Sequence, residues 1–253
     1  MTAPAAGTVL VVLAKAPEPG RVKTRLCPPA TPAEAADLAA AALLDTLDAV
    51  RAVPGGRVLV ALTGDPRRAA RARDVAVALL GADVVAQRGA DLGHRIAAAH
   101  ADAAVLARGV PTLQLGMDTP QAGPALLAAA GQRLRVPGGP DAVLGPAADG
   151  GWWALGLRDP RRAALVAGVP TSRDDTGQRT LAALRGAGLR VELLPELRDV
   201  DTAADAVAVA ADAPDTRFAA AVAGVAALRP MTLGPTTLRP MTPGPLRPAA
   251  ARR

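Results

Sequence analysis

The chain has 253 residues, enough for one α/β domain with a sizeable core or for two small ones. A formal charge of +6 invites a nucleic-acid reading, yet Arg229, Arg239, Arg247, Arg252 and Arg253 lie in an acid-free tail, leaving only +1 for residues 1–228. With Trp152, Trp153 and Phe218 as its only aromatics, that near-neutral body lacks both the basic face and the stacking platform of nucleic-acid binders.

Cys27 is the single cysteine, which excludes an intramolecular disulfide. Apolar runs reach about seven residues, far short of the roughly 20 that a membrane helix needs. No basic leader with a long apolar core precedes the first strand, so neither a signal peptide nor a transmembrane segment is expected, and a cytoplasmic protein is the default.

Along the chain, Thr8–Ala14 is an apolar, β-branched run with the look of a buried strand. Thr31-Pro32-Ala33-Glu34 predicts a capping box opening a helix to about Val53. Asp65-Pro66 opens a second helix closed by Gly81, and Thr119-Pro120 opens one closed by Gly131. Asp159-Pro160 and Thr202–Asp205 start two more, and Asp215–Leu228 reads as a final helix. Between them, residues 57–62, 83–86, 112–116, 142–145, 152–157 and 189–194 read as strands. This alternation predicts an α/β fold with a mainly parallel central sheet and helices on both faces. Beyond residue 228, Leu-Arg-Pro-Met-Thr occurs twice, at 228–232 and 238–242, so residues 229–253 read as a disordered Pro/Arg-rich tail after a domain spanning 1–228.

Only two lysines stand against 27 arginines, and both fall in Lys15-Ala-Pro-Glu-Pro-Gly-Arg21-Val-Lys23-Thr-Arg25-Leu26. This loop follows the first strand, and ligands of open α/β sheets sit at the carboxyl ends of strands. Lys15, Arg21, Lys23 and Arg25 there suit a grip on phosphate, against the plainer reading of a solvated basic turn. Asp118, in Gly116-Met-Asp-Thr-Pro120, comes just past a strand, where a divalent cation bridging to a diphosphate would be held; alternatively it caps the turn. In Gly145-Pro-Ala-Ala-Asp149-Gly150-Gly151-Trp152-Trp153, glycines let a ligand approach Asp149 closely, and the paired tryptophans face opposite sides of a strand. One would serve the core and the other, Trp152, a pocket; both packing in the core is the competing view. Asp201, in Arg198-Asp199-Val200-Asp201-Thr202, either supplies a second metal carboxylate or, with Asp199, only stabilises a helix N-terminus. His94 and His100 lie six apart, which is not a helix-face metal spacing. Dinucleotide, P-loop and nucleophile-elbow motifs are missing.

From about Val9 to Ala210 the sequence resembles the DUF2064 family of the GT-A, or nucleotide-diphospho-sugar transferase, superfamily. The resemblance rests on the basic loop 15–26, Asp91-Leu-Gly-His-Arg95, Gly116–Pro120, Gly145–Leu157 and Asp199–Thr202. It implies a Rossmann-like GT-A fold with the basic loop over a nucleotide's phosphates, Asp118 as the metal aspartate and Asp201 as second ligand to Mg²⁺ or Mn²⁺. Family members usually carry an acidic residue where His94 stands and a Trp-Ser-Thr-like element at 169–172.

The expected protein is a metal-dependent transferase using a nucleotide or nucleotide-sugar donor and a small-molecule acceptor, with glycosyl transfer as the leading chemistry. Nucleotidyl transfer from a triphosphate to a phosphorylated acceptor is the second reading, and a non-catalytic nucleotide-binding protein the third. In the leading scheme Asp118 and Asp149 act in catalysis, while Lys15, Arg21, Lys23, Arg25, Gly150, Gly151 and Trp152 bind substrate or phosphate.

Overall fold

The computed structural model describes residues 7–228; the tail expected to be disordered lies outside them. Seven strands form one sheet: β1 (Val9–Lys15), β2 (Arg57–Thr63), β3 (Asp83–Ala86), β4 (Thr112–Leu115), β5 (Ala142–Pro146), β6 (Trp152–Leu157) and β7 (Val191–Leu193). Their order is β3-β2-β1-β4-β6-β5-β7. All neighbouring pairs are parallel except those of β6, which runs antiparallel to both β4 and β5. The helices are α1 (Pro32–Arg51), α2 (Ala72–Leu79), α3 (Leu92–Leu106), α4 (Pro124–Arg135), α5 (Thr176–Gly186), α6 (Ala203–Asp212) and α7 (Arg217–Gly224).

Alternation along β1 shows why the sheet must be covered on both faces. Leu10, Val12 and Ala14 join a core built with α1, α2 and α4, whereas Val9, Val11 and Leu13 join one built with α3, α5 and a 3-10 segment, Pro160–Val166. A third core lies beyond α1, where Leu38, Ala41 and Ala42 meet Phe218 and Val222 of α7 and Val209 of α6. Helix α1 is thus covered on two sides, and its many alanines let both neighbours approach closely.

Helix starts follow local chemistry where side chains can cap. Thr31 and Glu34 form a complete capping box at α1, and Thr202 and Asp205 form another at α6. Several expectations fail, among them the α-helix expected after Asp159-Pro160, which is the 3-10 segment Pro160–Val166. The segment after Asp65-Pro66 makes one 3-10 turn (Pro66–Arg68), and α2 begins only at Ala72 after Arg71 adopts a left-handed φ of 52°. Thr119-Pro120 opens no helix: α4 starts at Pro124 behind Gly123 and runs through Gly131 to Arg135. Gly131 is there for packing, since a Cβ on it would lie 2.6 Å from Thr8 Oγ1. The final helical segment is also split, into α7 and a 3-10 turn at Ala226–Leu228.

Candidate active site

The carboxyl ends of β1 and β4 open onto a cavity of about 860 Å³. Lys15, Arg21, Lys23, Arg25, Asp118, Asp149, Gly151, Trp152 and Asp201 all line it. Of the residues expected to act in catalysis or to bind substrate, phosphate or metal, Gly150 alone does not. Its φ of +87° suits glycine, and a Cβ there would strike the Asp174 carbonyl at 1.9 Å. Gly150 O also accepts the Gly177 N–H at 2.8 Å, so this residue docks the β5–β6 turn onto the start of α5.

The basic loop is fixed at both ends. Glu18, only 4 % exposed, accepts the Asp65 N–H at 3.0 Å and pairs with Arg21 and Arg68. Leu26, fully buried, plugs the third core. Between these anchors Lys23 takes a left-handed φ of 46° ahead of a 3-10 turn, Thr24–Leu26. Its Nζ lies 2.9 Å from Asp118 Oδ2 and 3.4 Å from Asp201 Oδ1. Arg25 reaches the other oxygen of Asp201 at 3.2 Å. Burial works to lower the Lys23 ammonium, but attraction and hydrogen bonds from Asp118, then Asp201, outweigh it and hold the group above its usual value. Lys15 and Arg21 stay exposed on the cavity rim.

Asp118 and Asp201 are brought together by backbone. The Val200 N–H donates to Asp118 O at 3.0 Å, stitching the segment before α6 to the turn after β4. Gly116 leaves room for the carboxylate, since a Cβ there would meet Asp118 Oδ1 at 2.5 Å. Neither aspartate caps a helix: Gly123 precedes α4, and α6 is capped by Thr202 and Asp205. Both carboxylates instead face the cavity and the cations.

A fourth acidic group went unassigned in the sequence, where Asp199 reads only as a helix-dipole partner. Asp199 lines the same cavity, and its Oδ1 is buried without a hydrogen-bond partner. Burial, then repulsion from Asp118 and Asp149, pushes its carboxyl up to about 8. Nothing in local sequence marks this, because the neighbours responsible lie far off in the chain. Asp149 sits exposed in the β5–β6 turn, one oxygen accepting the Gly151 N–H at 2.8 Å.

The tryptophans divide as the strand period requires. Trp153 is buried with α4's core and donates to Pro195 O at 3.0 Å; Trp152, on the opposite face and half-buried, donates to Thr180 Oγ1 at 3.1 Å. Both reach the cavity, as do Arg95 of α3 and Thr171, Ser172 and Arg173 before α5.

Residues 46–173 match the DUF2064 family, described as uncharacterized proteins conserved in bacteria. The chain belongs to this family. The matched span lies inside the longer stretch that the motifs cover, with the basic loop just ahead of it. A crystal structure of a candidate nucleotide-diphospho-sugar transferase from Desulfovibrio desulfuricans G20 superposes with a TM-score of 0.75 at 28% identity, covering 87% of this chain and 96% of that one. The fold also recurs in 4-diphosphocytidyl-2C-methyl-D-erythritol synthase (TM-score 0.55, 13% identity, 83% and 99% coverage). It recurs again in a CTP complex of CMP:2-keto-3-deoxy-manno-octonic acid synthetase (0.51, 16%, 81% and 97%). No curated protein matches the sequence. This DUF2064 protein therefore has the nucleotide-diphospho-sugar transferase fold.

Two departures from the family pattern have distinct surroundings. His94 is exposed, its Nδ1 2.8 Å from Asp91 Oδ1 at the start of α3, and it does not line the cavity. Thr171 and Ser172 do line it, and Ser172 has a left-handed φ of 60°. His100 has no part in the site: it is buried against Thr112 Oγ1 at 2.7 Å. Among the described residues no helix is long and apolar enough to cross a membrane.

Proposed function

We propose that this protein is a metal-dependent transferase that takes a nucleotide-activated donor, foremost a nucleotide sugar, and passes its glycosyl group to a small-molecule acceptor. The observation that carries the reading is the meeting of a basic loop with Asp118, Asp199 and Asp201 in one cavity at the carboxyl edge of the sheet. The likeness to the candidate nucleotide-diphospho-sugar transferase supports it.

The residues present suit Mg²⁺ or Mn²⁺. All the side-chain donors are oxygens, hard ligands for a hard cation, and the orphaned Asp199 Oδ1 lacks the partner that a buried carboxylate oxygen needs. Among the described residues no three His, Cys, Asp or Glu side chains already stand in a metal-binding arrangement, and Lys23 Nζ stands between Asp118 and Asp201. Asp118 and Asp201 would hold the ion, with Asp199 beside them. When bound, it would neutralise charge on the leaving diphosphate.

The protein's own side chains supply the rest. Lys15, Arg21, Lys23 and Arg25 line the phosphate side and bind by charge-assisted hydrogen bonds. Asp149 has one oxygen engaged with the Gly151 N–H, which fixes the carboxylate while leaving its other oxygen to orient an acceptor hydroxyl and take its proton. Trp152 and residues 171–173 form the wall on that side.

A second reading, nucleotidyl transfer from a triphosphate to a phosphorylated acceptor, is favoured by one feature. Lys15 remains exposed on the rim after Lys23 and Arg25 have paired with acids, and Arg21, exposed beside it, has only a 3.8 Å contact with Glu18, so positive charge is left for a third phosphate. Product analysis separates the two. Glycosyl transfer releases a nucleoside diphosphate, and nucleotidyl transfer releases pyrophosphate. Formation of neither product under any donor would leave only nucleotide binding.

A further inference from the structure

Lys23 occupies the place where the proposed cation would go. Its ammonium touches one oxygen each of Asp118 and Asp201, and its side chain is 13 % exposed, against 34 % and 38 % for the two carboxylates. The backbone that presents it is held on either side, by the buried Glu18 and the buried Leu26, and is left-handed at Lys23 itself. That conformation is unfavourable for a residue with a side chain, and such strain gathers at functional sites. The stem above this fixed backbone has four rotatable carbons and a compact charge.

We propose that Lys23 is a tethered cation that competes with the divalent metal for Asp118 and Asp201, and that its transfer onto the donor's phosphates couples metal binding to nucleotide binding. The inference rests on the metal-dependent reading above. Two cations cannot share these oxygens at little cost, because a metal at bonding distance from them would lie within a few ångströms of the ammonium. A phosphate in the same cavity offers the ammonium another anion. Nucleotide binding therefore raises metal affinity, and by linkage metal raises nucleotide affinity by the same factor.

Residue choice agrees with this. In a chain with 27 arginines, the position between the two acids carries one of only two lysines. A guanidinium would clamp the carboxylates with several fixed donors, whereas a lysine can leave.

The test uses both the full-length protein and its scarcity of lysines. Isotope-labelled lysine gives two side-chain resonances, and Lys15→Arg leaves only that of Lys23. Titration with Mg²⁺ should move the Lys23 signal towards that of a free lysine and leave Lys15 in place. In parallel, Mn²⁺ binding is read from the paramagnetic signal of the free ion, without nucleotide. Lys23→Met should bind Mn²⁺ roughly tenfold more tightly than wild type, and Lys23→Arg more weakly. An unmoved Lys23 resonance at saturating Mg²⁺, or a Lys23→Met affinity no better than wild type, overturns the exchange while leaving the metal site intact. If neither protein binds Mn²⁺, the metal site of the proposed function falls and takes the exchange with it. Should Lys23→Met not fold, the resonance titration on wild type decides alone.

Discussion

Among the described residues, two places hold a cation between two carboxylates that are distant from it in the chain, and they differ in what is left over. Arg217 lies between Asp45 and Asp48 of α1. Asp45 is buried, and it also accepts the N–H groups of Arg217 at 3.1 Å and Phe218 at 2.8 Å. Every oxygen of Asp45 is used, and the result is a cap for α7 and a bolt between layers. Lys23 lies between Asp118 and Asp201 in the same manner, but a cavity opens beside it and Asp199 Oδ1 has no partner. A satisfied cluster fixes structure. An unsatisfied one beside open space keeps bonding capacity that a ligand could use.

That contrast can be broken by substitution, beginning with the largest effect. Asp118→Asn should lower turnover by about 10²–10³-fold while its melting temperature stays close to wild type, measured by product formation and thermal melts side by side. A large loss of stability would make Asp118 a second bolt. Conversely, Asp45→Ala should cost about 3 kcal/mol in urea denaturation, since it strands the N–H groups of Arg217 and Phe218, and should leave nucleotide binding unchanged.

Titration sharpens the comparison, once from outside both clusters and once from within the open one. Burial holds His100 down to about 3, so the folded protein keeps it neutral where the unfolded chain takes up a proton near 6.5. Its contribution to stability is intact above about pH 6.5 and is lost as pH falls towards 3. Between pH 6.5 and 5 that amounts to about 2 kcal/mol, and His100→Leu should flatten this slope in urea melts. Asp199 responds in the opposite direction: its carboxyl is raised, so the folded state binds its proton more tightly than the unfolded one. Stability from this group is greatest below about pH 4 and fades as pH rises towards 8. Without added metal, Asp199→Asn should therefore melt higher than wild type at pH 8, with the gap narrowing at pH 5.

Much of the fold was legible because local rules were obeyed. β3 and β6 keep the expected limits, and both capping boxes form, because a threonine and an acid three residues on need no distant partner. Where tertiary packing decided, local reading failed: Gly131 looked like a helix end but makes room for Thr8. The site divides along the same line. Lys23, Asp118 and Asp201 stood out by position next to strands and helices, while Asp199 acquires its character from burial first and then from Asp118 and Asp149, all of which arrive through the fold. Gly150 drew notice as part of a ligand loop and proves to dock that loop onto α5.

The central claim is that the Asp118–Asp201 cluster is a metal-assisted nucleotide site. It is tested most directly by thermal shift of wild type and Asp118→Asn against nucleoside triphosphates and nucleotide sugars, with and without Mg²⁺ or Mn²⁺. Binding to the native state raises the melting midpoint with the logarithm of ligand excess. The account predicts a selective nucleotide shift in wild type that grows with the divalent ion and collapses in Asp118→Asn. No shift with any nucleotide, or one of equal size in both proteins regardless of metal, would contradict it.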